Sequence, residues 1–249
     1  ASARRATRMK QQLLAHRPVV VAHRGASVEA PENTLAAFRR ALELGAPAME
    51  LDVHRTADGE LVAIHDATVD RTTNGTGAVA EMTLEALRQL DAGAWKGKAF
   101  AGERIPTLAE VCRLARGRAS LVVEIKAAGI ADQVVATLEA EGVLDESFVI
   151  SFSQETARRV KELRPDTTVG LLSGKAEDLP LVAELGLDAF CPHHAAATEE
   201  MARELHAANR LLSVWTVNDE EGMRRMAALG ADLITSDNPA LALKVLRRE

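Results

Sequence analysis

The chain has 249 residues, 47% of them hydrophobic and 27% charged, which is the composition of a folded globular protein with a sizeable core. Its formal net charge of −6 lacks the basic footprint that general nucleic-acid binding needs, and it admits an anionic small molecule only where cations are gathered locally. Five Phe, two Trp and no Tyr leave Ala, Leu and Val to fill the interior, as in helix-rich α/β proteins.

Arg4, Arg5, Arg8, Lys10 and Arg17 open the chain without an acid among residues 1–17, which reads as a solvated segment rather than a membrane-surface arm. "PVVVAHRG" (18–25) predicts a strand. "PENTLAAFRRALELG" (31–45) predicts a helix with Asn33 or Thr34 at its N-cap and Gly45 at its C-terminal end. "AMELDVHRT" (48–56) is the second strand, and "ELVAIHD" (60–66) is a short extended return after the turn "ADG". Residues 66–105 break the rhythm, because "RTTNGTG" and "DAGAWKGKAFAGERIP" are too Gly-rich for a regular helix–strand unit. Strands are then predicted at 120–126, 147–152, 167–172, 187–192, 210–217 and 231–236. Helices are predicted near 107–116, 130–141, 154–164, 177–185, 198–208, 219–228 and 238–248.

Eight strands, each followed by a helix, imply a parallel sheet, and eight units in ~250 residues match a (β/α)8 TIM barrel with a small insertion after the second strand. A doubly wound open sheet competes, but "AHRGASVEAPENT" lacks the Gly-rich dinucleotide turn expected after its first strand. Cys112 and Cys191 sit in apolar segments and read as buried free thiols. Neither a secretory leader pattern nor an apolar run of membrane-spanning length is found, so the default expectation is a cytoplasmic protein.

Barrels of this kind carry their chemistry at the C-terminal ends of the strands. Those ends hold His23 and Arg24, Glu50 and Asp52, Glu124 and Lys126, and Trp215, with His65 and Asp66 following the extended return. Period-two parity puts Glu50 and Asp52 on one face and Glu124 and Lys126 on one face. Three carboxylates from adjacent strands suit a hard divalent cation such as Mg2+ or Ca2+, which would turn their repulsion into ligation. Ordinary ion pairs are the competing reading for each piece alone, with Lys126 neutralising Glu124 and each histidine a satisfied polar residue. Convergence of all these groups on one barrel mouth favours a site.

The remaining candidates divide more evenly. Asp66 either orients His65 or caps the turn that follows, and Asn33 is a helix cap or a ligand. Trp215 is either an apolar wall for a substrate or a packing residue. His54 reads as a pocket-wall residue past the strand end, whereas His193 and His194 form a mouth loop that is polar filler or touches substrate. His16 and His206 read as surface positions, and Phe100 either lines the cleft or staples its own loop.

Taken in order, "AHRGASVEAPENTLAAFRRALELGA", "ELDVHRTADGELVAIHD", "DRTTNGTG", "IPTLAEV", "VEIK" and "VWTVN" resemble the serial signatures of the glycerophosphodiester phosphodiesterases. The resemblance runs from about residue 18 to the C-terminus. It implies one catalytic barrel over residues 1–249, with 66–105 as an insertion covering the substrate side of the mouth. It implies that Glu50, Asp52 and Glu124 bind one divalent cation (Mg2+, Ca2+ or Mn2+), that His23 and His65 are the general acid–base pair, and that Arg24 and Lys126 contact phosphate. The implied reaction hydrolyses a small-molecule glycerophosphodiester to glycerol 3-phosphate and an alcohol, with no nucleic-acid partner and no stable membrane insertion. Which histidine is the acid, whether water or the glycerol C2 hydroxyl attacks phosphorus, and the oligomeric state are left open. A lysophospholipase D or phosphatidylinositol-type phospholipase would need a lipid-accessible apolar rim, and the aromatic-poor mouth loops show no such cluster. A barrel that only binds phosphate esters would not need two proton-transfer groups.

Overall fold

The computed structural model describes residues 17–246. The chain runs from β1 (Val19–Ala22) through α1 (Leu35–Glu43) to β2 (Ala48–Arg55) and β3 (Leu61–Ala63). A long segment with one short helix, α2 (Leu84–Gln89), leads to α3 (Leu108–Ala115). Three strand–helix units follow, β4 (Ser120–Ile125) with α4 (Ala131–Ala140), β5 (Ser147–Ser151) with α5 (Gln154–Leu163) and β6 (Thr168–Ser173) with α6 (Leu179–Glu184). Three more complete the chain, β7 (Ala189–Pro192) with α7 (Glu199–Ala207), β8 (Leu211–Val214) with α8 (Glu220–Leu229) and β9 (Leu233–Ser236) with α9 (Pro239–Leu246).

Parallel pairing runs from β2 to β4 and on to β9, and β1 bonds both β9 and β2, which closes an eight-stranded barrel. β3 is an antiparallel flange on the end of β2, with Val53 opposite Ala63 and Arg55 opposite Leu61. This is the (β/α)8 barrel that the alternation predicts, and it excludes the open sheet. Strands predicted at 18–25 and 210–217 stop at Ala22 and Val214, so the polar residues after them sit on loops. The basic residues of 1–16 and His16 lie outside the described residues.

Strand parity sorts the core into two shells. Met49, Leu51 and Val53 face outward and pack with Phe38 of α1 and Leu108 and Val111 of α3. Ala48, Val122, Phe148, Ile150, Leu172 and Cys191 face inward and fill the barrel. Gly170 makes room for them, because a Cβ there would meet Cys191 Sγ at 2.7 Å and the Phe148 ring at 2.9 Å. Cys112 and Cys191 are buried free thiols, as expected. Thr34, not Asn33, caps α1, accepting from Ala37 N, while Thr107 and Glu110 form a reciprocal capping box on α3.

Segment 66–105 has more order than its glycines suggest. Thr83 caps α2, and Val62, Ile64, Val69, Val79, Leu87, Ala92 and Ile105 form a small apolar cluster of their own. Among the described residues, no helix is long and apolar enough to cross a membrane.

Candidate active site

Three acidic side chains meet at the C-terminal ends of β2 and β4. Asp52 and Glu124 are register partners in the parallel pair, and one oxygen from each of Glu50, Asp52 and Glu124 lies within 4.8 Å of the others. All three are buried, with Asp52 at 0% exposure. Asn33 Nδ2 donates to Asp52 Oδ2 at 2.9 Å, and Asn33 Oδ1 accepts from Asp52 N at 3.3 Å. Arg24 N donates to Glu50 Oε2 at 2.9 Å, and Arg24 Nε makes an ion contact with Asp52 Oδ2 at 3.2 Å. Lys126 Nζ lies 3.0 Å from Glu124 Oε1 and 3.8 Å from Asp52 Oδ1.

These cations do not offset the crowding. Burial, then the charges of Asp52 and Glu124, drives the Glu50 carboxyl well above the usual carboxylate range. Burial and Asp52 push Glu124 up to about 7 against the pull of Lys126. Glu50 Oε1 and Asp52 Oδ1 are buried without a hydrogen-bond partner. Hard oxygen donors that repel one another, two of them without a hydrogen-bond partner, are a donor set that fits a divalent cation.

The β1–α1 loop brings His23, Arg24 and Asn33 to this cluster. Arg24 and Asn33 both hold a φ of 56°, in the left-handed region, and Gly25 follows at 83°. A Cβ on Gly25 would stand 2.6 Å from the Ala37 backbone, so only glycine lets the loop lie against α1.

Each of the two histidines at the site is backed by a carboxylate. His23 Nδ1 meets Asp237 Oδ1 at 2.6 Å, and Asp237 also accepts from Ser27 Oγ and Asn218 Nδ2. Burial raises the Asp237 carboxyl, but the bonds from His23, Asn218 and Ser27 outweigh it and hold it at about 2. His23 Nε2 lies 3.9 Å from Glu50 Oε2. His65 Nδ1 meets Asp66 Oδ1 at 2.7 Å, and its Nε2 lies 3.3 Å from Lys126 Nζ.

A cleft of about 200 Å³ opens over these groups. One side is lined by His23, Arg24, Glu50, His65, Glu124 and Lys126, the other by Ile150, Phe152, Leu172, Cys191 and Trp215. Asp52 lies behind this surface. Trp215 is both packing residue and wall, since its Nε1 donates to Cys191 O at 2.8 Å while its ring meets Phe152 edge-on.

The readings of His54 and His206 need correction, and the open readings of His193, His194 and Phe100 fall on the side away from the cleft. His54 is still inside β2 and does not line the cleft; its Nε2 bonds His65 O at 3.1 Å. His193 packs edge-on against Trp215, and neither it nor His194 reaches the cleft. His206 is not a free surface residue, because its Nε2 meets the fully buried Asp232 at 2.9 Å. Phe100 also stays out of the cleft, its carbonyl accepting from Glu103 N within its own loop. The mouth loops do expose large apolar side chains, Val28, Trp95 and Phe152. Sequence reasoning missed Asp237, Glu32, Arg71 and Phe152. Asp237 and Phe152 had a signal, since each directly follows a strand end.

Residues 23–241 match the glycerophosphoryl diester phosphodiesterase family. A glycerophosphodiester phosphodiesterase of Caldanaerobacter subterraneus subsp. tengcongensis is 40% identical over 238 residues, spanning 92% of this chain and 98% of the relative. The crystal structure of a glycerophosphodiester phosphodiesterase from Agrobacterium tumefaciens superposes with a TM-score of 0.82 at 33% identity, covering 91% of this chain and 99% of that one. An Oleispira antarctica phosphodiesterase in complex with the product sn-glycerol-3-phosphate gives a TM-score of 0.85 at 29% identity, covering 93% and 97%. The chain therefore belongs to the glycerophosphoryl diester phosphodiesterase family.

Proposed function

We propose that the protein hydrolyses glycerophosphodiesters to glycerol 3-phosphate and an alcohol, with Glu50, Asp52 and Glu124 holding one divalent cation, Mg2+, Ca2+ or Mn2+. The observation that carries this reading is two carboxylate-backed imidazoles lining one cleft beside three crowded carboxylates. When bound, the cation supplies positive charge to the non-bridging oxygens and makes the attacking hydroxyl more acidic. Arg24 and Lys126 add positive charge on the same side of the cleft and orient the phosphate.

The hydrogen bonds favour a division of labour between the histidines. Lys126 is only a donor, so His65 Nε2 presents its lone pair and Nδ1–H points to Asp66. As Lys126 turns from Nε2 to the phosphate, that freed lone pair takes a proton from the attacking oxygen, and His23, held by Asp237, gives one to the leaving alcohol. The attacking oxygen bonds phosphorus as the bond from phosphorus to the alcohol oxygen breaks. The departing electron pair is then capped by the His23 proton. Attack by water gives glycerol 3-phosphate directly, whereas attack by the glycerol C2 hydroxyl uses the same two transfers to give a cyclic phosphate, which water then opens as the ring P–O bond breaks and the two histidines exchange roles. Ile150, Leu172 and Trp215 receive the carbon portion of the substrate. Segment 66–105 forms the rim on the substrate side, fastened by Lys96 Nζ to Ser27 O at 2.7 Å.

The test is product identity. Glycerophosphocholine and a divalent cation are expected to give glycerol 3-phosphate and choline in equal amounts by 31P NMR and choline assay. Phosphocholine plus glycerol would contradict the assigned bond. His23→Ala and His65→Ala are each expected to lower kcat by about 10²-fold or more while cation affinity holds. Wild-type turnover in both would overturn the acid–base assignment. Exposed Phe152 beside Trp215 favours a second reading, a lysophospholipase D with an acyl chain on that edge. A higher kcat/KM on lysophosphatidylcholine than on glycerophosphocholine would select it.

A further inference from the structure

Arg71 belongs to segment 66–105 and stands outside the cleft, gripped by two carboxylates at once. Its Nε and Nη2 donate to Asp66 at 2.8 and 3.0 Å, and its Nη1 and Nη2 donate to Glu32 at 2.9 and 2.8 Å. Each carboxylate uses one of the same oxygens to hold a side chain that lines the cleft. Asp66 Oδ1 takes His65 Nδ1 at 2.7 Å, and Glu32 Oε1 takes Arg24 Nη1 at 2.9 Å. We propose that Arg71 is a positioning residue that sets the His65 ring and the Arg24 guanidinium together, so that a proton-transfer group and a phosphate-facing cation share one anchor. This rests on the functional reading above.

Three features support the assignment. The guanidinium is a planar fork, so engaging both carboxylates bidentately fixes their planes relative to each other, which an ammonium does not do. The Arg71 side chain is 46% exposed, so its ion pairs add little to stability, and the segment's packing comes from its own apolar cluster. Without Arg71, Glu32 and Asp66 would be two anions that repel, each dragging its cleft partner. Hydrogen bonds from Arg71 lead the effects that keep Asp66 below the usual carboxylate range. For Glu32, burial pulls upward, and the bonds from Arg71 and Arg24 reverse it.

The test compares Arg71→Lys, Arg71→Met, Glu32→Gln and Asp66→Asn with the wild type. Arg71→Lys is expected to lower kcat/KM by about 10- to 100-fold, the usual loss for a supporting partner, with KM raised through Arg24 and kcat lowered through His65. Tm and cation affinity are expected to stay at wild-type values. Glu32→Gln should act mainly on KM and Asp66→Asn mainly on kcat. Arg71→Met combined with Asp66→Asn should lose no more kcat than Asp66→Asn alone, because both act through one contact. The 15N NMR signature of the His65 Nδ1–H tautomer should be averaged in Arg71→Met, or in Arg71→Lys if the former fails to fold. Wild-type kcat and KM in the Arg71 variants, additive losses in the double variant, or an unchanged His65 signal would each overturn the proposal. A wild-type protein that releases no glycerol 3-phosphate would overturn the functional reading instead, and the His65 signal would still decide the role of Arg71.

Discussion

Asp52 is fully buried, and Asn33 meets it twice from a backbone held at a φ of 56°. Asparagine tolerates that left-handed conformation better than most residues, and its amide supplies the donor and acceptor together. Asn33→Ala removes both bonds and is expected to cost about 1–3 kcal/mol in denaturant unfolding. It should also weaken cation binding by about 10- to 100-fold in calorimetry. Wild-type cation affinity in that variant would separate Asn33 from the carboxylate cluster. Glu50, Asp52 and Glu124 were legible in the sequence because a strand backbone fixes which side each residue faces. The role of Asn33 was not, because it comes from a loop, where spacing carries no orientation, and Asp237 offered only its place directly after a strand end. Beside Thr34, Asn33 reads as a helix cap, since both residue types cap helices equally well.

Segment 66–105 was legible as an interruption but not as a structure. Its glycines hid α2, which is only six residues long and depends on Thr83 at its cap and on Leu87 beneath. Leu87 is fully buried in the segment's own cluster, separate from the barrel core. Leu87→Ala is expected to destabilise the segment by about 2–5 kcal/mol. Because this cluster packs apart from the strands, amide hydrogen exchange should rise across 66–105 while the amides of β4 to β6 keep their protection. kcat/KM should fall with it, since the segment carries Arg71 and Asp66. A uniform rise in exchange across the barrel would show that the segment and barrel open as one unit.

Closure of the barrel is what assembles the site from distant sequence. The alternation of strands and helices made the barrel legible, and with it the mouth where His23, Glu50 and Glu124 gather. The pairing of β1 with β9 brings Asp237 onto His23 across 214 residues of sequence, a contact that no local pattern announces. The same assembly has a pH signature. Glu50 and Glu124 have folded-state values raised above the ordinary 4.5, Glu124 to about 7. The Glu124 contribution to the stability of the metal-stripped protein is therefore present below about pH 4.5 and lost as pH rises through about 7, and the Glu50 contribution is lost in the same direction. A bound cation relieves that repulsion, so the Tm difference between loaded and stripped protein should widen from pH 5 to pH 8. A difference that stays constant with pH would mean that these carboxylates do not hold the cation.

The most direct test of the account starts from metal-stripped protein and glycerophosphocholine, following glycerol 3-phosphate as Mg2+, Ca2+ and Mn2+ are added back separately. The account predicts no release from the stripped protein, release restored by at least one of these ions, and no restoration in Glu50→Ala at the same ion concentration. Full release from the stripped protein, or full restoration in Glu50→Ala, would contradict it.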